Sequence, residues 1–309
     1  MRKLKIALFA FVTLSSILVA CGGCGSNPGG GGSGSGLTGL PTEAPTTQSV
    51  QMRPPLLVQY CVDDTGSYPR NDFLAANQLI AASLPQAVSA NQGGVTLFAT
   101  AITHNTFDPA NTLLPAFSVP AIPAYPPAPT PIPTPTPLNP VTDQPTATTI
   151  RGENINNITA YNQQVAAINQ QIHSAQAAIT TDTERLTSWA PPVDDIGTSI
   201  LGCFQLAANR FQGQSGAKLL YIASDLENNT DVDYTQTFVK AHRLQGVIVH
   251  VIYFSNASAG LDQQKLARWC PYLQAAGASA VFFSDPAATT ILSNVFDHYL
   301  TPPVSAQSC

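Results

Sequence analysis

The segment from Leu56 to Tyr68 constrains the fold more than any other part of the chain. It begins as an apolar run with β-branched and aromatic residues, which is typical of a buried strand. It ends at residues 63–67, Asp-Asp-Thr-Gly-Ser, where two carboxylates and two hydroxyls surround one glycine. Open α/β sheets place their ligand sites at the carboxyl ends of strands, so we expect a binding site at this turn.

Three polar residues of this turn alternate along the chain. Asp63, Thr65 and Ser67 follow the pattern D-x-T-x-S, so one tight loop could direct three oxygen atoms at one point. Hard oxygen ligands favour Mg²⁺, Mn²⁺ or Ca²⁺ over zinc. Asp, Thr and Ser are also good helix N-caps, so a capping turn is the alternative interpretation of this loop taken alone.

Strands and helices alternate along most of the remaining chain. This alternation predicts an α/β fold with a doubly wound, mostly parallel central sheet flanked by helices. After the opening strand we predict strands at 95–103, 113–119, 217–224, 247–254 and 280–283, and helices at 71–88, 200–211, 234–244, 263–276 and 289–300.

Residues 120–190 interrupt the alternation and form a predicted insertion. Prolines recur every two to four residues across 120–149, which favours polyproline II and excludes a helix or a central strand. A stiff surface loop is preferred there over a ligand for proline-recognition domains. From 153 to 189 a heptad of Ile158, Val165, Ile172, Ile179 and Leu186 predicts a long amphipathic helix. Packing on its own chain is preferred for this helix over pairing with another molecule.

The first 20 residues have a basic head and an apolar run, typical of a secretory signal and shorter than a membrane-spanning helix. The run closes with Leu-Val-Ala before Cys21, which resembles the lipobox of bacterial lipoproteins. In that family the cysteine becomes the lipid-modified N-terminus. A C-x-x-C half-site formed with Cys24 is the less favoured alternative. Residues 21–54 are rich in Gly, Ser and Pro and predict a tether with a span of roughly 30 Å. We therefore expect an extracytoplasmic domain that is lipid-anchored to a bacterial membrane.

The net charge of the chain bears on which partners it can bind. The chain has 13 basic and 18 acidic residues. Removal of residues 1–20 takes away three basic residues and leaves 10 − 18 = −8. This net charge argues against nucleic acid or an anionic membrane surface as a partner.

Two more polar residues occur at corresponding points of the alternation. Thr198 follows Gly197 just before a predicted helix, and Asp225 ends the predicted strand 217–224. With the D-x-T-x-S loop they resemble the metal-ion-dependent adhesion site (MIDAS) of the von Willebrand factor A (VWA) domain. That site combines a D-x-S-x-S loop, a distant threonine and a distant aspartate. The resemblance covers about residues 55–110 and 191–300, so we predict one domain in two parts, 55–119 and 191–309.

The resemblance implies a ligand set and a function. Thr65, Ser67 and Thr198 would contact Mg²⁺ (or Mn²⁺ or Ca²⁺) through their hydroxyls. Asp63 and Asp225 would bind directly or through water. An acidic side chain of a partner protein would complete the coordination. The chain departs from the family in two ways: Asp64 adds a charge beside the loop, and residues 225–227, Asp-Leu-Glu, replace a common Asp-Gly pair.

Enzymatic activity is not expected. The phosphate-binding pattern G-x-x-x-x-G-K-[ST] and the nucleophile pattern G-x-S-x-G do not occur, and the five histidines lack zinc-motif spacing. The predicted function is membrane-anchored, metal-dependent protein binding. The alternative is a structural lipoprotein of the cell envelope that assembles through its long helix and has a degenerate metal site.

Six cysteines minus the lipidated Cys21 leave five, so at least one is unpaired or bridges chains in an oxidising compartment. Cys24, in the tether, is the candidate for the unpaired one. Two pairings are hypotheses, because sequence does not fix connectivity. Cys270 with Cys309 would hold the C-terminal tail, and Cys61 with Cys203 would brace the proposed site.

Overall fold

The computed structural model describes residues 52–134, 144–190, 197–228, 235–252, 263–284 and 307–309. The predicted signal peptide, Cys21, Cys24, nearly all of the predicted tether and the predicted helix 289–300 lie outside the described residues. Within the described part, no helix combines the length and apolar character that crossing a membrane requires.

A seven-stranded sheet forms the centre of the domain. Its strand order is β3-β2-β1-β4-β5-β6-β7. β1, β2, β4, β5 and β6 run parallel, and the edge strands β3 and β7 are antiparallel. The predicted doubly wound, mostly parallel fold is therefore confirmed. The strands are β1 (Leu56–Asp63), β2 (Val95–Ile102), β3 (Thr112–Val119), β4 (Ala217–Ala223), β5 (Val247–Ile252), β6 (Ala280–Ser284) and β7 (Gln307–Ser308).

Strand β1 is the central strand, and all eight of its residues are buried. Its side chains alternate between two cores. Val58, Tyr60 and Val62 pack into one core, and Leu57 and Cys61 pack into the other. Burial on both faces explains the continuous apolar run of the sequence, because a parallel strand in the middle of such a sheet has no solvent face.

Helices cover both faces of the sheet. The first core is covered by α1 (Arg70–Ser83) and by the C-terminal half of α2 (Gln144–Ser188). The second is covered by α3 (Ile200–Phe211), α4 (Thr235–Lys240) and α5 (Gln263–Ala275). α1 ends earlier than predicted, since Pro85 lies in a short 3₁₀ turn, Leu84–Ala87. α5 contains Pro271 inside the helix, as expected.

The long helix α2 packs on its own chain. Ile168, Ile179 and Leu186 are buried in the first core, and Ile172 and Ala175 pack against it. The expectation of docking in cis is therefore confirmed. The helix also begins at Gln144, nine residues before the predicted start, so the exclusion of a helix from 120–149 is wrong for residues 144–149. Pro145 lies in the first turn of the helix, where a backbone N–H has no partner within the helix and its loss is tolerated.

The proline-rich segment runs beside the N-terminal half of α2. Asn154 accepts from Ile132 N (2.8 Å) and donates to Ile132 O (2.9 Å), and Tyr125 Oη donates to Asn169 Oδ1 (2.5 Å). Between these contacts the segment advances seven residues and the helix retreats fifteen. Polyproline II at ~3.1 Å per residue and a helix at ~1.5 Å per residue both span about 22 Å. The two therefore run antiparallel with matched rise.

Asn154 is expected to hold this segment against α2. Asn154→Ala removes both hydrogen bonds to the backbone of Ile132, because alanine has neither donor nor acceptor. We expect a loss of about 1–2 kcal/mol and faster proteolysis within 120–134, measured by limited digestion and by the free energy of unfolding. Asn157→Ala, at an exposed position one turn away, is the matched control. Equal behaviour of the two variants would contradict this role.

Candidate metal centre

Four of the five predicted site residues lie at the carboxyl ends of β1 and β4, and Thr198 lies just before α3. These strands are neighbours in the sheet, yet the chain leaves β1 toward β2 on one side and β4 toward β5 on the other. Such a reversal is the topological switch point at which doubly wound sheets bind ligands. The location predicted from the opening strand is thus the switch point of the sheet.

Three hydroxyl groups meet at this point. Thr65 Oγ1 lies 3.2 Å from Ser67 Oγ and accepts a 3.0 Å hydrogen bond from Thr198 Oγ1. Neighbouring ligands on an octahedral Mg²⁺ with bonds near 2.1 Å are about 3.0 Å apart. The hydrogen-bonded hydroxyls therefore already have the spacing that one small cation needs.

Asp63 lies beneath these hydroxyls and is fully buried. Its Oδ1 accepts from Thr65 Oγ1 (2.7 Å) and from Thr65 N (3.2 Å). Its Oδ2 accepts from Ser224 Oγ (2.6 Å). Ser224 also accepts from Leu226 N (2.9 Å), so this one hydroxyl connects Asp63 to the turn after β4. Ser224 was not among the predicted site residues, because a serine at the end of a buried strand carries no periodic or motif signal.

Asp225 joins the same network through a hydrogen bond with the Ser67 side chain. The structure therefore brings all five predicted ligands together: Asp63, Thr65, Ser67, Thr198 and Asp225. Among the described residues, no group of three or more His, Cys, Asp or Glu side chains is placed to hold a metal. The donor set at this site is instead three hydroxyls with two carboxylates.

The carboxyl groups of Asp63 and Asp225 both have raised pKa values. Burial raises the pKa of Asp63 from its usual 3.8 to about 7, although hydrogen bonds from Ser224 and Thr65 pull it down and the nearby Asp225 adds to the rise. Burial also raises the pKa of Asp225, against the opposing effects of the Glu227 amide and Lys265. A divalent cation between them would favour both ionised forms, so the residues present fit such an ion.

The extra charge of Asp64 is neutralised away from this centre. Arg70 Nη1 lies 2.9 Å from Asp64 Oδ1. The same guanidinium lies 4.3 Å from the centre of the Phe73 ring and donates to the carbonyl of Trp189 (3.3 Å). Asp64 is therefore turned toward α1 and the end of the insertion.

The turn after β4 adopts a glycine-like conformation without glycine. Leu226 has φ 61°, a left-handed conformation that costs an ordinary residue about 1–2 kcal/mol. Two features offset this cost: the Leu226 side chain is buried, and its carbonyl accepts from Trp269 Nε1 (3.0 Å). Lys265 Nζ also donates to the carbonyl of Asp225 (2.5 Å). Two α5 residues that the sequence did not indicate thus position this turn.

Thr198 is held by the start of α3. Ser199 N donates to Thr103 O (2.9 Å), and Ser199 Oγ caps the helix by accepting from Gly202 N (3.3 Å). Thr106 Oγ1 donates to Ser199 O (3.0 Å). These contacts attach the threonine to the loop after β2.

A disulfide joins the two arms of the site. Cys61, two residues before Asp63, is bonded to Cys203 in the first turn of α3. The second disulfide joins Cys270 to Cys309 and holds the end of the chain to α5. Both pairings proposed from the sequence are thus present in the structure.

Comparison with protein-family models and with curated protein sequences finds no match. Several solved structures are similar. Proximal thread matrix protein 1 from the mussel byssus aligns over 84% of this chain and 48% of its own, with 11% identity and a TM-score of 0.41. An aerotolerance-related membrane protein from Bacteroides fragilis aligns over 79% of this chain and 98% of its own (12% identity, TM-score 0.40). A von Willebrand factor type A protein from Catenulispora acidiphila aligns over 77% and 40% (13% identity, TM-score 0.39).

This chain therefore spans about half the length of the mussel protein and less than half of the Catenulispora protein. Another structure of the mussel protein has a zinc-occupied MIDAS motif. The donor set of this chain, rather than these neighbours, decides what its own site can hold.

Acidification is expected to stabilise the metal-free protein. In the unfolded chain Asp63 loses its proton near pH 4, whereas the folded state keeps the proton up to about pH 7. Stability should therefore fall as the pH rises from about 4 to 7, by on the order of 2–4 kcal/mol. Thermal unfolding in EDTA at several pH values measures this effect. Asp63→Asn should flatten the profile, and Glu153→Gln, which removes an exposed carboxylate on α2, should leave it unchanged. An unaltered profile in Asp63→Asn would contradict this assignment.

The two disulfides are expected to differ in their effect on the site. Replacing both Cys61 and Cys203 by Ser, or both Cys270 and Cys309, should cost about 2–4 kcal/mol of stability in each case. Only the first pair joins β1 to the Thr198 arm, so only its loss should weaken the affinity for Mg²⁺. Calorimetric titration of both double variants below their unfolding temperatures tests this difference. If both double variants lost the same Mg²⁺ affinity, the Cys61–Cys203 disulfide would have no specific effect on the metal site.

Proposed function

We propose that this protein is a divalent-cation-dependent protein-binding domain. The cation is held by the hydroxyls of Thr65, Ser67 and Thr198, with Asp63 and Asp225 beside it. The observation that carries this proposal is the convergence, at the switch point of the sheet, of three hydroxyls spaced near 3 Å above a buried carboxylate. The described residues place no cationic side chain on that carboxylate.

The donor set suits a cation that must still bind something else. Neutral hydroxyls cancel little of the charge of Mg²⁺, and carboxylates that act through hydroxyls and water orient the ligands while leaving the ion electrophilic. Mg²⁺ takes six oxygen ligands, so three hydroxyls and two waters leave one position open. A Glu or Asp of a partner protein fits that position and gives a charge-assisted contact. Mg²⁺ is the first choice of ion, with Mn²⁺ and Ca²⁺ as alternatives.

We expect binding rather than catalysis at this site. The structure does contain a serine–histidine pair, with His250 Nε2 2.7 Å from Ser284 Oγ. Both side chains are buried within the sheet, where His250 packs against the ring of Tyr221. The pair lies on β5 and β6 rather than at the ends of β1 and β4, so we assign it to the packing of the sheet.

Membrane attachment through Cys21 is part of the proposal. The chain enters the sheet at Leu56 and reaches the site at Asp63, the last of the eight residues of β1. An eight-residue strand is about 26 Å long. A tether that leads into β1 therefore arrives at the edge of the sheet opposite the metal centre. An anchored domain would present the site away from the membrane.

The alternative, assembly through the long helix, has less support. The apolar stripe of α2 that would pair with another helix packs against its own domain at Ile168, Ile179 and Leu186. Nearer the N-terminus of α2, Asn154 on the same side contacts the proline-rich segment. A second molecule would have to displace these contacts.

Added Mg²⁺ is expected to stabilise the folded protein. At a concentration near 100 times the Kd the gain is about 2.7 kcal/mol, or roughly 5–10 °C in Tm. Thr198→Ala should abolish most of this shift, because it removes one of three hydroxyl ligands. Thr159→Ala, an exposed threonine on α2, is the control. Differential scanning fluorimetry with Mg²⁺, Mn²⁺ and Ca²⁺ measures the shift.

Partner capture is tested with the same variants. We expect a protein from envelope extract to bind the wild-type chain in Mg²⁺, to be released by EDTA and to be missing with Thr198→Ala. The absence of a Tm shift with all three ions, together with capture that EDTA does not affect, would overturn the proposed function.

A further inference from the structure

The charges of the described residues are divided between the two edges of the sheet. The acidic residues lie at the carboxyl edge or on α2, and those at the edge are Asp63, Asp64, Asp72, Asp108, Asp225 and Glu227. Four basic residues lie at the opposite, amino edge, where the described part of the chain has no acidic residue: Arg53, Lys218, Lys240 and Arg243. The edge at which β1 begins is therefore positively charged, although the whole chain is acidic.

A cavity of about 400 Å³ opens at this amino edge. It lies between the end of α3, the first residues of β4 and β5, and the turn that follows α4. Lys218, His242 and Arg243 line it together with Phe211 and Gln212. Its described lining contains no Asp or Glu. Its volume falls within the range of small-molecule sites in proteins.

Lys218 is the half-buried charge of this cavity. It lies in the second position of β4, between Leu57 of β1 and Val247 of β5. Its side-chain ammonium group makes no hydrogen bond or ion pair with any residue in the described ranges. An ammonium group that lines a cavity without a protein partner can pair with an anion that enters the cavity. The described protein does not supply that anion, so solvent or a ligand must.

Arg243 and His242 are held in place by other contacts. Arg243 Nη2 donates to Asn209 Oδ1 (2.6 Å), which also accepts from Gln205 Nε2 (2.7 Å). This contact fixes one nitrogen of the guanidinium and leaves its other N–H groups available to a ligand. His242 Nδ1 lies 3.1 Å from the carbonyl of Ala275, which orients the imidazole. The cavity is therefore lined by positioned donors.

We propose that this cavity binds a phosphate group, with Arg243 and Lys218 as its main contacts. The fork of an arginine matches two phosphate oxygens at once, and a lysine adds a point charge. A phosphate carries up to two negative charges and several acceptor oxygens. It therefore complements two unneutralised cations better than one carboxylate does. Arg210, by contrast, is engaged by Gln59 and Thr100 of the sheet and contributes only to the local field.

Two sources supply such a group: a soluble phosphorylated molecule or the headgroup of a phospholipid. Leu57, at the start of β1, is the register partner of Lys218, so the cavity lies beside the point where the N-terminal tether enters. A domain held by that tether would face a membrane with this edge. The net charge of the chain argues against an anionic surface as a partner, but the local charge at this edge favours one.

The test uses the full chain with Cys21→Ser, which cannot be lipidated, in EDTA so that the metal centre holds no ion. Soluble phosphate is titrated as inorganic phosphate and as glycerol phosphate by calorimetry. The headgroup is tested by flotation with phosphatidylglycerol vesicles, with phosphatidylcholine vesicles for comparison. Both use about 150 mM salt, which screens attraction between exposed charges.

We expect saturable binding in at least one arm and a loss of at least about tenfold when Lys218 and Arg243 are both changed to Gln. The matched control changes Arg151 and Arg185 to Gln, which removes two charges from exposed positions of α2. Arg243→Gln alone, in a surface turn, serves if the double variant fails to fold. Binding of soluble phosphates assigns a free ligand, and binding of vesicles alone assigns a headgroup. No saturable binding in either arm, or equal loss in the variant and the control, overturns the proposal.

Discussion

Burial of the central strand on both faces is the constraint on which the rest of the structure depends. Both cores are built on β1, because its alternate side chains enter opposite sides of the sheet. The strand places Asp63 at the switch point, and Cys61 joins the same strand to α3 through a disulfide. A flexible loop could bring the same donors together only at the cost of ordering them on binding. Here the folding of the sheet has already ordered them.

The insertion is attached to this centre as well as to the core. Its last residues reach the site through a chain of contacts: the carbonyl of Trp189 accepts from Arg70, and Arg70 pairs with Asp64 beside the metal-binding loop. The ring of Trp189 packs against Phe73 on the same helix. These contacts connect the end of the insertion to Asp64, the residue next to Asp63. The insertion is in this sense part of the site's support rather than a separate module.

Sequence was sufficient where a periodic or local signal existed. The alternation of strands and helices predicted the sheet, and residues 63–67, Thr198 and Asp225 were recognised because each follows or precedes a predictable element. Ser224, Lys265 and Trp269 had no such signal, since their roles come from which elements become neighbours in space. The start of α2 was missed for a related reason. The buried positions before Ile158 are Ala147 and Asn154, a small and a polar residue whose partner is a proline-rich backbone rather than an apolar core.

The distribution of cations at the carboxyl edge shows why the site suits an external ion. Arg70 forms an ion pair with Asp64. Lys265 pairs with Glu227 (3.5 Å) and donates to the carbonyl of Asp225. Both cations therefore contact groups around the site rather than Asp63. Asp63 receives hydrogen bonds only from hydroxyl and amide groups in the described structure. A lysine or arginine placed on Asp63 would have stabilised the fold and blocked the site. The chain instead leaves a buried carboxylate whose charge is best balanced by a cation that also has an open position for a partner.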